Sequence, residues 1–518
     1  MKFRRSATGD GNENTATTTA TANGSATGSA AAEAPQRPED ERLAPQLLFT
    51  YGLQHILTMY AGAIAPALII GAAADVTAVQ QGILISGALL VAGIATLIQS
   101  VGHCTVGAQL PIVVACSFVP VSAAATIAAN QGLPVVFGAS LAAGIFALLL
   151  TPFFGQLIRF FPPVVTGTII AVIGLSLMPV AADWIIDSDG SDTAPLGNLA
   201  LAGITLALVL LFSRVLPGLL GRISILLGIV AGTLIAVPFG HTNFSTVGEG
   251  AIFSLGEPLH FGPPEFEIAA IITMCIIMLV VLTEGASHII AVGEITGSKI
   301  DARRISAGLR ADVSLSIIGP IFNATPGSSF AQNIGLLALT KIKSRYVVAV
   351  GGLILIGLGL FPILGRIVSE IPMPVLGGAG LVLFGTVAAS GIRTLGKVDF
   401  SDNLNVILVA TAFGFGLIPL AVPDFYEAFP EAVALVLHSG IVGAAVVAVV
   451  LNICFNIIGR GEYAESPSVF ASAPTLDKDY PPDEADGTDG TGGTENPDKP
   501  NNPDRPNADY ESTASRGE

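Results

Sequence analysis

Residues 323–341 read NATPGSSFAQNIGLLALTK and lie among long apolar runs. Within them, Pro326 and Gly327 interrupt helical hydrogen bonding, and the adjacent amides of Gln332 and Asn333 bring donors and acceptors to a place where lipid offers none. Backbone that is not helical persists at membrane depth only where protein packs around it or where it lines a cavity. We therefore predict that this stretch faces a binding site and not lipid.

The composition of the whole chain is that of a polytopic membrane protein. Hydrophobic residues make up 51% of the 518 residues and charged residues only 12%, and the mean hydropathy is +0.71, well outside the range of soluble domains. The four cysteines are too widely spaced to indicate a disulfide framework or a metal site. No metal and no cofactor is therefore predicted.

The formal charge of −16 is concentrated near the C-terminus. Residues 461–518 contain fourteen Asp and Glu against four Lys and Arg, and they are rich in Pro, Gly, Asn and Thr. We predict a disordered acidic tail there, because such a composition cannot bury enough apolar surface to fold. Residues 1–45, rich in Ala, Thr, Gly and Ser, are predicted to form a disordered leader. Nothing in the charge pattern indicates a nucleic-acid partner.

The apolar runs predict an all-α protein with fourteen transmembrane segments, since each crossing needs about 20 apolar residues, or fewer where a segment is broken. These segments are placed at 47–72, 79–100, 108–126, 133–154, 163–182, 196–213, 222–239, 267–292, 306–322, 327–341, 346–366, 373–390, 404–421 and 432–456. Twelve basic residues then fall in or beside even-numbered loops, whereas odd-numbered loops hold Arg366 alone. By the positive-inside rule, both termini are predicted to be cytoplasmic.

Fourteen segments divide into two halves of seven, and an odd number in each half makes the halves inverted in the membrane. The predicted transporter domain covers residues 46–457, with one repeat at about 46–240 and the other at about 265–457. The third segment is interrupted by Gly107 and Pro111, and its counterpart, the tenth, is the stretch quoted above. Broken segments at matching positions are the best sequence indication of a transporter binding site.

Polar side chains also interrupt other apolar segments. Glu284 follows an apolar run in the eighth segment, and an ionisable group at that depth is costly and is by default a functional candidate. His288 lies one helical turn later on the same face. Gln54 and His55 in the first segment serve either interhelical hydrogen bonds or a ligand. Asp312, near the cytoplasmic end of the ninth segment, either pairs structurally with Arg310 or a neighbour, or acts in transport.

Several motifs of enzymes and pumps are missing from the sequence. There is no phosphate loop of the Gly-x-x-x-x-Gly-Lys-Ser/Thr form, so bound nucleotide is not indicated as an energy source. Neither His-Glu-x-x-His nor Gly-x-Ser-x-Gly is present to indicate a hydrolase. The chain is therefore predicted not to be an enzyme, and as a transporter it would use a substrate or ion gradient.

The stretch QNIGLLALTK, residues 332–341, resembles the signature of the nucleobase–ascorbate (xanthine/uracil permease) family. That signature reads Gln, Glu or Pro, then Asn, any residue, Gly, four of any kind, Thr, and Arg, Lys or Gly. Other family landmarks follow in the right order: Gln54-His55, Leu110-Pro111, Ser117-Phe118, FPPVVTGT at 161–168, Glu284 with His288, GLRAD at 308–312, IPMPVLGG at 371–378 and ASGIR at 389–393. The resemblance covers about residues 46–457.

The resemblance implies a secondary-active symporter that imports a nucleobase. Glu284 and Gln332 would bind the base through their side chains, and Phe118 and Ala331 would offer backbone groups. Xanthine, urate and uracil present lactam edges with alternating N–H and C=O, which a carboxylate and an amide can match. In the family, Gln at the first signature position accompanies purine substrates, whereas Glu is usual in uracil carriers, so Gln332 favours xanthine or urate.

The resemblance also implies supporting roles for His288 and Asn333, with Gln54 and His55 close to the site. Protons are the expected coupling ion, with sodium as the alternative, and Glu284 and His288 are the expected proton-coupling groups. The family fold divides into a mobile core and a gate that often forms a homodimer. The expected partners are a small-molecule base and the lipid of the plasma membrane.

Three other functions stay open at this point. A uracil permease would share the family and differ in substrate. A sulfate or anion carrier of related architecture would be expected to have a basic site or a helix N-terminus and no buried acid such as Glu284. A membrane receptor or scaffold would use the acidic tail to recruit a partner.

Deleting residues 461–518 separates the transport functions from the scaffold. We expect the truncated protein to keep uptake at the rate of the full-length chain, because the tail contributes no segment to the predicted transporter domain. Uptake of labelled xanthine into vesicles measures this. Loss of all uptake in a protein that still reaches the membrane would favour a function that resides in the tail.

Overall fold

The structure is a computed structural model that describes residues 37–458 apart from 104, 155–157, 187–192, 241, 243–246, 248–252, 255, 402, 431–436 and 438. The predicted acidic tail and residues 1–36 of the predicted leader lie outside the described residues. Residues 37–44 of that leader are described and include a 3₁₀ turn at Pro38–Asp40. They contact the helical domain through side chains.

The described chain is almost entirely helical, with two very short strands. The helices are α1 Pro45–Ala73, α2 Ala78–Val101, α3 Val121–Gln131, α4 Leu133–Leu150, α5 Pro163–Ser176, α6 Met178–Ile186, α7 Leu196–Val215, α8 Gly218–Arg222, α9 Ser224–Ala236, α10 Ile268–Thr296, α11 Ala302–Ile318, α12 Ala331–Thr340, α13 Arg345–Gly359, α14 Pro362–Ser369, α15 Met373–Leu395, α16 Asn403–Ala421 and α17 Gly440–Asn452. The strands are β1 Val114–Cys116 and β2 Gly327–Ser329.

Helix boundaries follow local capping chemistry. Thr77 forms a reciprocal capping box with Gln80 at the start of α2, which satisfies two backbone donors that the first turn leaves free. Glu267 caps α10 by accepting a hydrogen bond from the backbone N–H of Ala270. Asp301 caps α11 in the same way through the N–H of Arg304. These side chains fix where α2, α10 and α11 begin, and these three helices surround the two strands.

Ten of the described helices are long and apolar enough to cross a membrane, or eleven if the bent pair α13 and α14 is counted as one span. The two axes of that pair meet at 76°. Three of the fourteen predicted segments do not qualify. The third and the tenth each contain a strand and only a short helix, and the seventh is the short apolar helix Ser224–Phe239. The count of fourteen therefore stays a prediction.

The two strands come from the two interrupted segments, and they pair with each other. The pairing is antiparallel, with Val114 opposite Ser329 and Cys116 opposite Gly327. Backbone bonds extend the ladder on both sides, from the N–H of Phe330 to the carbonyl oxygen of residue 113 and from the N–H of residue 117 to that of residue 326. A Cβ at Gly327 would lie 2.5 Å from the carbonyl oxygen of Ala115, so the close approach of the strands requires glycine.

The helices divide by their contacts into two groups around this strand pair. The core group contains α1, α2, α3, α4 and α10 to α14, together with both strands. The gate group contains α5, α6, α7, α9, α15, α16 and α17. The main contacts between the groups join α1 to α9 and α10 to α5 and α17, and they are few compared with those inside each group. The interface between the groups is therefore where a cavity can open.

The gate group depends on a close crossing of α5 and α15. A Cβ at Gly174 in α5 would overlap the backbone of Ala388 in α15, whereas a Cβ at Gly203 in α7 would meet nothing within 4 Å. We expect Gly174→Ala to destabilise the protein by about 1–3 kcal/mol, because the backbones must separate. Gly203→Ala should be neutral or slightly stabilising, since Ala favours the helix. Thermal unfolding of both variants in detergent measures the difference, and equal midpoints would contradict this packing.

Candidate functional site

A cavity of about 230 Å³ lies between the strand pair and the gate helices. Four of the predicted site residues line it: Phe118, Glu284, Ala331 and Gln332. The opposite wall comes from α5 and α15 and consists of Ile170, Ile173, Thr386, Val387, Ser390 and Arg393. The structure thus brings residues from three distant parts of the core group together against the gate group.

Glu284 is held in this cavity by hydroxyl groups next to the two strands. Its Oε2 accepts hydrogen bonds from Ser328 Oγ at 3.1 Å and from Ser117 Oγ at 3.4 Å. Within the described part of the chain, no hydrogen bond reaches Oε1, the other carboxylate oxygen. The serines therefore orient the carboxylate and leave one oxygen able to accept a bond from a bound molecule.

Two aromatic side chains, Phe118 and Phe330, line the same cavity as Glu284. The rings of Phe118 and Phe330 have centroids 6.4 Å apart, and Phe118 also makes an edge contact with Phe384 of α15 at 6.2 Å. Phe118 lies two residues after β1, and Phe330 directly follows β2. The pairing of the strands therefore fixes the spacing of the two rings. A flat heterocycle could stack against such rings while its edge faces Glu284.

His288 supports β2 and does not line the cavity. Its Nδ1 lies 3.0 Å from the carbonyl oxygen of Ser329 and 3.1 Å from the hydroxyl oxygen of the same residue. A carbonyl can only accept, so Nδ1 is the donor in a hydrogen bond to the Ser329 carbonyl. Ser329 is the last residue of β2, and the imidazole therefore ties α10 to the end of that strand.

Asp312 also binds β2, and its partner is not the neighbouring arginine. Its carboxylate is buried and accepts hydrogen bonds from Gln99 Nε2 at 2.8 Å and from the backbone N–H of Ser329 at 3.3 Å. Arg310 points elsewhere, to the carbonyl oxygen of Thr105 and the hydroxyl of Thr151. The pairing of Asp312 with Arg310 that the sequence offered is therefore wrong, and the carboxylate instead binds Gln99 and the backbone of Ser329.

Two residues of α2 that the sequence analysis did not single out hold the first interrupted segment. Thr96 Oγ1 accepts a hydrogen bond from the N–H of Val114 at 3.0 Å and donates one to its carbonyl oxygen at 3.1 Å. Gln99 accepts from the N–H of Ala108 at 2.8 Å and donates to Asp312. Their spacing of three residues places them on one helix face. Polar residues at that spacing in an apolar segment were a signal available in the sequence.

The other predicted supporting residues lie at different places. Asn333 is buried and its Nδ2 lies 3.9 Å from the sulfur of Met59 in α1, so it joins α12 to α1. Gln54 and His55 lie in α1 and line neither this cavity nor the next one described. Nδ1 of His55 and Oδ1 of Asn333 are buried without a hydrogen-bond partner in the described structure.

A second cavity of about 290 Å³ lies on the other side of α12. It is lined mainly by apolar residues of α1, α9 and α15 and includes Arg222. Phe330, Gln332, Gly335 and Thr386 line both cavities. Gln332 therefore lies between the two spaces and can reach a molecule in the first. No group of three or more His, Cys, Asp and Glu that could hold a metal occurs among the described residues.

The hydrogen bonds of Thr96 generate a prediction about the strand pair. Thr96→Val keeps the shape of the side chain but leaves the N–H and C=O of Val114 without this partner, which costs about 1–3 kcal/mol. The matched control is Thr205→Val, because Thr205 is equally buried and bonds only within its own helix, to the carbonyl of Leu201. We expect a lower unfolding midpoint for Thr96→Val than for the control, measured by thermal unfolding in detergent. Equal effects would show that β1 does not depend on α2.

The sequence is similar to those of known permeases. A family model described as "Permease family" matches residues 46–425. The chain is 40% identical over 425 residues to the xanthine permease of Bacillus subtilis strain 168, covering 82% of this chain and 97% of the relative. It is 39% identical over 430 residues to the uric acid transporter UacT of Escherichia coli K12, covering 81% and 89%.

Solved structures show the same fold at much lower identity. The transmembrane domain of a cyanobacterium bicarbonate transporter, BicA, matches with a TM-score of 0.52 at 13% identity, covering 78% of this chain and 97% of that one. The murine anion transporter Slc26a9 in the inward-facing state matches with a TM-score of 0.54 at 12% identity, covering 80% and 70%. Such similarity establishes the architecture and leaves the ligand to be argued from the site.

Proposed function

The chain belongs to the nucleobase–ascorbate (xanthine/uracil permease) family, and we propose that it imports a purine base, xanthine or urate, across the plasma membrane. It is a multi-pass membrane transporter of nucleobases and not an enzyme. The purine proposal is based on the cavity that Glu284, Phe118 and Gln332 line together. Phe118 and Gln332 each lie close in sequence to one of the paired strands.

The chemistry of that cavity matches the lactam edge of a xanthine-like base. The free oxygen of Glu284 would accept from a ring N–H, and the amide of Gln332 would donate to one carbonyl and accept from a neighbouring N–H. Backbone groups of Phe118 and Ala331 would complete the edge, and the phenyl rings would cover the face. The Gln at position 332 supports a purine over uracil, as it does in the family, and one curated relative is named a uric acid transporter.

Proton coupling follows from the cost of charge at this depth. A carboxylate inside the membrane is expensive, and a proton taken up together with the base would offset its charge during transport. In the proposed cycle, Glu284 changes its protonation or hydrogen-bonding state as the base binds and leaves, and His288 is a second proton site through Nε2, because its Nδ1 already contacts Ser329. Sodium remains the alternative ion.

The proposed architecture is fourteen segments in two inverted repeats, at about 46–240 and 265–457, with both termini cytoplasmic. Each half begins with a 29-residue helix, α1 or α10. Each then continues with a second helix, a three-residue strand and a short helix. This repeated order supports the inverted repeat, and the two helix groups correspond to the core and the gate. A homodimer through the gate group is part of the same proposal.

An anion carrier is the second candidate, because two solved structures with this fold are named as bicarbonate or anion transporters and Arg393 lines the cavity. Glu284 in the same cavity weighs against it, since a small inorganic anion is repelled by a carboxylate and has no lactam N–H edge to donate to it. Competition decides among the candidates. Unlabelled xanthine and urate should block uptake of labelled xanthine, whereas uracil and bicarbonate should not.

Glu284→Gln tests the site and the coupling together. The change removes the charge and keeps the shape, so we expect the protein to fold while concentrative uptake of xanthine falls by at least about tenfold, the effect of losing one charge-assisted hydrogen bond. Glu294→Gln is the matched control, because Glu294 lies on the same helix and is exposed. Both variants are assayed in vesicles with an imposed proton gradient and, separately, a sodium gradient.

Wild-type accumulation by Glu284→Gln would refute the role of Glu284. Blockage of xanthine uptake by uracil at equal concentration would instead refute the preference for purines, and it would leave the nucleobase site in place.

A further inference from the structure

The chain segment just before α1 is attached to the core group by a buried ion pair. Glu39 has only 1% of its surface exposed, although it lies outside the transmembrane helices. Its Oε1 pairs with Arg304 Nη2, and its Oε2 accepts a hydrogen bond from Ser298 Oγ at 2.5 Å. Burial alone would raise the pKa of this carboxyl group. The hydrogen bonds from Ser298 and Arg304 together have the larger, opposite effect, so the pKa lies below its ordinary value. Glu39 is therefore ionised at neutral pH.

Further contacts spread this attachment over residues 37–44, which we call the N-terminal strap. Asp40 pairs with Arg345 at 2.7 Å, and Arg345 also donates to the carbonyl oxygens that end α2, at residues 100 and 101. Ser344 donates to the backbone oxygen of Glu41 at 2.6 Å, and Arg37 donates to Gln109 at 3.0 Å. All the anchors belong to loops and helix ends of the core group. Among the described residues, no hydrogen bond or ion pair joins the strap to the gate group.

Arg304 connects the strap to the loop that leads into β1. Its Nε donates to the carbonyl oxygen of Ala108 at 2.7 Å, and its Nη2 donates to that of Gln109 at 3.0 Å. The N–H of Ala108 is held from the other side by Gln99, which also binds Asp312. Asp312 in turn accepts from the N–H of Ser329 in β2. A continuous series of polar contacts therefore runs from Glu39 to β2, the strand that carries Ser328, one of the two serines bonded to Glu284.

We propose that Glu39 is a positioning residue: by holding Arg304 against the carbonyls of residues 108 and 109, the strap sets the position of β1 and thereby the affinity for the base. The carboxylate is needed because it offsets the charge of a guanidinium whose side chain is only 16% exposed, and without this partner the guanidinium would turn toward water. Loss of the charge would free the loop before β1, and Phe118 would then be less well placed to meet a base. The affinity part of this inference rests on the proposed function, whereas the placement of the loop does not.

Hydrogen–deuterium exchange on the purified full-length protein tests the placement. Glu39→Gln should speed exchange in peptides that contain the amides of residues 107–109 and 327–330, and it should leave peptides of α7 in the gate group unchanged. Ser298→Ala removes one hydrogen bond to Glu39, together with the contact between the Ser298 and Thr296 hydroxyls, and it keeps the Glu39 charge, so it should give a smaller change in the same peptides. Glu41→Gln is the control, because that side chain makes no described hydrogen bond or ion pair.

The same variants are tested for binding of labelled xanthine. Glu39→Gln should raise the dissociation constant by about fivefold to tenfold relative to Glu41→Gln, with Ser298→Ala in between. Exchange that rises only within residues 37–44 and 298–304, or rises evenly in all peptides of both folded variants, would overturn the proposal. If the wild-type protein binds no xanthine, the proposed function fails, and the exchange experiment still decides whether the strap positions β1.

Discussion

The structure depends on one short antiparallel pairing of backbone, three residues from each of two interrupted segments. A helix that stops at membrane depth leaves N–H and C=O groups without partners, and each such group costs several kcal/mol in a medium that offers no hydrogen bonds. Here the interruption in one half is satisfied by the interruption in the other. Neither break is tolerable alone, so the two halves must meet at this point.

This pairing also explains how the site is built. Ser117 and Phe118 leave β1 at one end, Phe330 and Gln332 follow β2, and Glu284 reaches both strands through the hydroxyls of Ser117 and Ser328. The surrounding helices accept the backbone hydrogen bonds that the strands do not make with each other. Thr96 of α2 accepts one from β1, and Asp312 of α11 accepts one from β2. A base bound there would touch groups whose positions are set by backbone hydrogen bonds, which is the rigidity that selective recognition requires. Because the cavity lies between two helix groups with few mutual contacts, relative movement of those groups could alternate its access.

Much of this could be predicted from the sequence, and the reasons for the remainder are physical. Pro326 and Gly327 indicate a break in a helix, and Glu284 indicates a costly charge in an apolar segment. Both signals can be read from the sequence because each depends only on neighbouring residues. The register of the strands and the partner of Asp312 are not local, since they depend on residues more than 200 positions apart, such as Gln99 with Asp312. The burial of Glu39 could not be predicted either. A charged segment of this kind is typical of a solvated surface, and only the structure shows that Arg304 lies against Glu39. The predicted number of spans exceeds the number of long apolar helices, because some predicted crossings consist of a strand and a short helix. A criterion of helix length does not count such crossings.

The most direct measurement is an experimental structure of the full-length protein determined by electron cryo-microscopy with xanthine present. We expect density for the base between Phe118 and the gate helices, with one edge within hydrogen-bonding distance of the Glu284 carboxylate and the Gln332 amide, and with β1 and β2 still paired. Density for the base elsewhere, or a Glu284 side chain that faces lipid, would contradict it.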